Sequence, residues 1–330
     1  MSDTKGPGSE SCDEASTRAA IGDIPLSPVK AIDSWDEAMR RMAALLHETK
    51  PDAAWLASLE KEAQDMCSLA RRDMDTALYL LLQTAANETN HYSAQHSMLC
   101  AVVCELCAVW FEWPAKEVDI LVRAALTMNL SMSALQDALA QQSGPPSAAQ
   151  RQGIDEHPAR SAALLAEAGI PDALWLDVVR QHHSVEAMTG DQPIPAAQRL
   201  AQLLHRVDIY TAKLSRRASR QATTPALAAR DACLDPAGLP DATGATILRV
   251  LGLFPPGSFV LLASGDVGVV VRRGVKAHTP VVALVRRTNG GTYMQPVCRD
   301  TADGVHAVVR GIAVGDVKVR LNHERVLSAA

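Results

Sequence analysis

The chain has 330 residues, of which 48% are hydrophobic and 21% charged, enough for one or two domains and a sizeable core. Its 32 basic and 37 acidic residues leave a formal net charge of −5; a dedicated nucleic-acid binder would show a basic excess instead. Seven scattered cysteines argue against a disulfide framework. With no apolar run of ~18 residues and a polar, acidic start instead of a signal peptide, the expectation is a cytoplasmic protein with no membrane span.

Residues 1–30 are rich in Ser, Gly, Asp and Pro and read as a disordered tail. Structure is expected from Ser34, which has Glu37 at the capping-box spacing, and Trp35, Met39, Met42, Ala43 and Leu46 then form a helical stripe. A second helix starts at Pro51-Asp52 and turns Trp55, Leu56 and Leu59 to one side. A third carries Ala77, Leu78, Leu81, Leu82 and Ala85. Residues 31–90 thus read as an N-terminal helical region.

A long helix is expected from Tyr92 to Trp113. His96, Leu99, Val103, Leu106 and Trp110 recur at heptad-like spacing, which points His96 inward. Cys100, Cys104 and Cys107 follow at i, i+4 and i+7. Metal binding and redox sensing are open to them, but core packing suits them better, because free Cys behaves as a small buried hydrophobe. Pro114 ends the helix, and the next starts with Val118 to Leu126. Beyond the loop of residues 141–146, Ser147 and Gln150 cap a helix that carries His157-Pro158 and ends at Gly169. Leu174, Trp175, Val178 and Val179 make a stripe whose continuation lands on His182 and His183. Leu200, Leu203, Leu204 and Val207 make another, with Asp208 one turn beyond Leu204. Inward histidines and an inward aspartate are costly unless paired, hydrogen-bonded or bound to a cation. Imidazole with carboxylate suits iron, manganese or zinc.

Lys213, Arg216, Arg217 and Arg220 follow within about three turns of a helix. They read either as contacts to nucleotide phosphates or as a solvated helix end that complements the dipole. From Gly257 the pattern changes to period two. Residues 259–262, 267–271, 281–285, 305–310 and 317–321 read as strands. Ser264-Gly265-Asp266 and Asn289-Gly290-Gly291 read as hairpin turns.

The strings His157-Pro158, His182-His183 and Val207-Asp208-Ile209-Tyr210 with Arg217 and Arg220, then Leu251 to Ser258, resemble the HD-GYP domain. This is the cyclic di-GMP-hydrolysing branch of the HD metal-dependent phosphohydrolases. Tyr92 to Ser97 resembles its first ligand helix, and the likeness covers roughly residues 75–275. The resemblance implies metal ligands at His96, His157, His182, His183 and Asp208, and nucleotide contacts at Lys213, Arg217 and Arg220. It also marks departures. Met128-Asn129 stands where the family has its His-Asp dyad, Met132 where it has Lys, and Tyr92 where some members have Glu. Thr189-Gly190-Asp191-Gln192-Pro193 replaces the Gly-Tyr-Pro signature.

In the family the lost aspartate bridges two metals. Asn offers one neutral carbonyl oxygen, and a Met thioether is a soft ligand, ill suited to iron or manganese. No residue is therefore expected to be catalytic, and the remaining ligands leave room for one divalent ion: iron, manganese or zinc. The expected fold is mainly α: an HD-type helical bundle over 91–255, a helical N-terminal extension and a small C-terminal β domain over 256–330. The expected function is a catalytically impaired HD-GYP-like module in bacterial cyclic di-GMP signalling. A metal-dependent phosphohydrolase with a reduced metal site is the alternative. The implied partners are cyclic di-GMP, a signalling protein or a second copy of the chain, and no nucleic acid.

Overall fold

The computed structural model describes residues 25–183, 194–234 and 237–330. The helices are α1 Pro28–Leu46, α2 Ala53–Arg72, α3 Met74–Asn87, α4 Tyr92–Trp110, α5 Ala115–Thr127, α6 Ser133–Gln141, α7 Ala148–Glu167, α8 Ala173–Gln181, α9 Ala196–Leu214, α10 Pro225–Cys233, α11 Ala242–Leu251, α12 Val314–Val317 and α13 His323–Ser328. Five strands, β1 Phe259–Leu262, β2 Val267–Arg272, β3 Val281–Arg286, β4 Thr292–Asp300 and β5 Val308–Ile312, form one antiparallel sheet in the order β4-β3-β2-β1-β5. The protein is mostly helical with a small C-terminal sheet, as the periodicities indicate.

Helix α4 is the hub. It packs against α1, α3, α5, α6, α9 and α11, and nearly all of it from Tyr92 to Ala108 is buried. A helix apolar all round can only be a core helix or a membrane span. Tyr92–Trp110 and Ala115–Gln141 are indeed long and apolar enough to span a membrane, which corrects the expectation that no stretch is. Within the protein they are core elements, with 83% and 67% of their apolar windows buried.

Several boundaries differ from expectation. α1 starts at Pro28, ahead of Ser34, with Ser27 at its N-cap. Proline is well suited to the first turn, where its missing N–H has no partner to lose. The expected tail of residues 1–30 therefore overlaps a helix at its end, and its first 24 residues lie outside the described ones. Trp110 is 52% exposed rather than inward, because the last turn of α4 runs past the core and stacks under Arg249. Strand β4 is largely exposed, so it shows no alternation to read. Of the segment expected at 317–321, Val317 closes the short α12, and Lys318 adopts a left-handed conformation with φ 52°. Gly304–His306 is a 3-10 turn, and β5 begins after it at Val308.

The sheet is continuous with the helical core. Phe259, Val267, Val269, Val271, Ala283, Val285 and Ile312 share one apolar cluster with α1 to α5 and α7 to α11. Val260, Leu262, Val270, Val282 and Leu284 form a second cluster on the opposite face. Gly257, at φ +92°, lets its turn approach α3 so closely that a Cβ would lie 2.9 Å from the Tyr79 carbonyl oxygen. Gln83 Nε2 donates to the Gly257 carbonyl at 2.5 Å. Helix α13 closes back on α1, and His323 Nδ1 lies 2.9 Å from the Tyr79 hydroxyl.

Candidate metal centre

The centre is built where α4, α7, α8 and α9 meet. On α7, the His157-Pro158 pair explains its own geometry. Pro158 has no N–H, so the Ile154 carbonyl one turn back has no helical donor. His157 Nδ1 donates to that oxygen at 2.5 Å. On α8, the helix ends at Gln181 and leaves last-turn carbonyls open. His182 Nδ1 donates to one of them, Val179 O, at 2.7 Å. Both rings thus carry their proton on Nδ1 and turn an Nε2 lone pair inward. The two Nε2 atoms face each other 3.2 Å apart. Two acceptors at that distance need a proton or a cation between them.

His182 is held in place from α5 as well, because Trp175 on α8 donates Nε1–H to Thr127 Oγ1 at 3.0 Å. His157 and His182 are 1% and 0% exposed. Burial, reinforced by the neighbouring His183, lowers their pKa values to about 4 and about 3. A proton is therefore a poor occupant near neutral pH. His183 completes the group, with all three ligand nitrogens within 4.8 Å of one another. It is the exposed member, its side chain 39% accessible, which corrects the expectation that it faces inward like His182. Three imidazole nitrogens, two of them oriented by backbone carbonyls, fit a divalent transition metal.

The neighbouring group is arranged differently. His96 on α4 directs Nε2 to Asp208 Oδ1 on α9 at 2.7 Å, and its Nδ1 is buried without a partner. Burial opposes charge on His96, but Cys100 and the hydrogen bond to Asp208 outweigh it and raise its pKa well above the usual range. Burial likewise opposes charge on Asp208, yet the adjacent His183 imidazole and the hydrogen bond from His96 hold its pKa well below the usual carboxylate value. His96 and Asp208 are thus an internal ion pair. Asp208 is the only carboxylate in either group, and its other oxygen lies 3.6 Å from His183 Nε2.

All five ligand-type residues expected from the sequence therefore gather here. Met128, Asn129 and Met132 lie on the turn that closes α5 and the 3-10 segment after it. Ser131 Oγ donates to the His157 carbonyl at 3.2 Å, which sets this turn against α7. Met128 is fully buried and Asn129 is 7% exposed, so the turn brings no charge to the site. The segment compared with the Gly-Tyr-Pro signature lies outside the described residues.

The expected phosphate contacts are dispersed. Lys213 pairs with Asp231 at 2.6 Å. Arg220 donates to the Ala212 carbonyl at 2.6 Å. Arg217 and Arg220 lie beyond the end of α9 on a tight turn closed by their own backbones, so they are not a helix end. Arg217 alone reaches toward the centre. Its guanidinium sits over the Tyr92 ring and donates to the Tyr92 hydroxyl at 2.9 Å, and that ring stacks on His96.

His205 escaped the sequence reading, and Cys100, which it left open to metal binding but assigned to core packing, lies against His96. Cys100 Sγ lies 3.7 Å from His96 Nε2 and 3.1 Å from Thr211 Oγ1. His205 packs edge-on to His183 with ring centroids 6.0 Å apart. Both signals were present as spacing: Cys100 is four residues after His96, and His205 three before Asp208, each on the same helical face. No family model, no curated protein and no solved structure matches the chain.

Proposed function

We propose that the chain is a catalytically impaired HD-GYP-like protein with an HD-type helical core. It acts as a cytoplasmic regulatory or interaction module in bacterial cyclic di-GMP signalling and does not bind nucleic acid. His157, His182 and His183 hold one divalent ion. The observation that carries the reading is the charge layout. The turn beside His157 offers Met128 and Asn129 where a second ion would need an anionic bridge, and Asp208 is already paired with His96. A bound ion would supply Lewis acidity to a phosphoryl oxygen. This chain's own contribution is to orient His157 and His182 through backbone carbonyls.

A second reading, a single-metal phosphohydrolase with an altered substrate, is favoured by the convergence of His157 and His182 alone. Calorimetry and a turnover assay with cyclic di-GMP separate the two. The expected result is binding without hydrolysis, weakened about tenfold in Arg217→Ala, the range of a lost charged hydrogen bond. Hydrolysis above a metal-free control would overturn the impairment. No binding by the wild type would remove the nucleotide from the account.

A further inference from the structure

Away from the histidines, three cavities of about 660, 290 and 500 Å³ run together along the junction of α4, α11 and the loop after β2. The first two share Arg249 and Arg273, and the last two share Phe254, Val275 and Lys276. Large apolar side chains stand in solvent along this groove: Val109 is 60% exposed, Trp110 52% and Val275 106%. Val275 projects from a closed loop. A Cβ at Gly274 would overlap the Thr279 carbonyl, and Leu253 N–H bonds the Ala277 carbonyl at 2.8 Å. An apolar knob therefore sits beside an apolar groove.

The flanking charges are unlike and unspent. Glu112, Arg249 and Lys276 are exposed, and none has an opposite charge as partner among the described residues. Among the described residues Arg249 rests on the Trp110 ring, 4.9 Å from its centroid. In a two-fold interface each patch meets its own image, so a patch that carries knob, groove and both signs of charge complements itself. Aromatic and Arg side chains are also the residues that such interfaces favour. We infer that this face is a two-fold interface, and that its occupant is a second copy of the chain. Val275 of each copy enters the other's groove, and Arg249 and Lys276 of each meet Glu112 of the other. The inference is independent of the histidine centre and survives or fails apart from it.

Sedimentation velocity on the full chain over a dilution series tests it. The wild type should sediment at twice the chain mass. Val275→Glu should halve that mass with an unchanged circular dichroism melt, because Val275 supports nothing inside its own copy. Glu112→Lys should dissociate the dimer at concentrations where the wild type holds. Adding Lys276→Glu should restore it. A wild type that stays monomeric throughout, a dimeric Val275→Glu, or a double charge swap that fails to recover the dimer would each overturn the inference.

Discussion

Replacing His157 by Gln should protect the metal-free protein against acid. The free pKa of histidine is 6.5, but burial holds His157 neutral down to about pH 4 and His182 down to about pH 3. Above pH 6.5 both are neutral in the folded and the unfolded chain, so neither gives a slope. As the pH falls through 6.5, the unfolded chain takes up protons that the folded chain refuses, and stability falls with it. At 1.36 kcal/mol per tenfold change in proton affinity, His157 alone removes ~3 kcal/mol by about pH 4. That is a large part of the ~5–15 kcal/mol that holds an ordinary domain together.

The partner pair acts on the other limbs. His96, with its pKa raised, contributes stability that is full below pH 6.5 and is lost as the pH rises through its folded value. Asp208, with its pKa lowered, contributes above pH 3.8 and loses that only as the pH falls through its folded value. Stability should therefore peak near pH 6.5. Urea unfolding in the presence of a chelator, followed by far-ultraviolet circular dichroism at each pH, reads this directly. His157→Gln keeps most of the volume and offers an amide N–H to His182 Nε2, so its acid limb should be shallower and end ~3 kcal/mol higher. Parallel acid limbs in variant and wild type would show that burial does not hold these rings neutral.

On the proposed reading, Met128→His with Asn129→Asp should raise metal content above that of the wild type in elemental analysis, because it adds an imidazole and a carboxylate on the turn set against α7. An unchanged content would mean that this turn does not face the centre. Without metal the same double change should destabilise by ~1–3 kcal/mol in urea, since it buries polar groups in place of a fully buried Met128. Truncation after Pro255 should abolish the cooperative thermal transition. It removes Phe259, Val269 and Ile312 from the common core and α13 from α1, and a sharp melt in the fragment would show that the sheet is dispensable.

Much of this was legible in the sequence because one face of each element decides its pattern. The stripes of α1, α3, α8 and α9 read correctly, and so did the Ser147-Gln150 capping box. The hairpin turns at Gly265 and Gly290 did too, both with positive φ. Part of what failed had no one-sided pattern to read. β4 is exposed along most of its length, and α13 is six residues whose place is set by contact with α1. His96, His157, His182 and Asp208 were singled out by residue type and helical phase, whereas His183, placed inward by the same stripe as His182, is exposed. The division of the five into a cation-ready triad and a self-neutralised His96–Asp208 pair was not legible, because it depends on ring orientation. That orientation follows from a carbonyl freed by Pro158 and another at the end of α8.

The most direct test of the account is the metal stoichiometry of anaerobically purified protein, after incubation with excess manganese, iron or zinc and removal of the unbound ion. Among the described residues His157, His182 and His183 form the ligand-type group with no carboxylate member, so the result should be no more than one tightly bound ion per chain, lost in His182→Ala. Two tightly bound ions per chain would mean that the His96–Asp208 pair opens to take a metal, and would contradict the impaired centre.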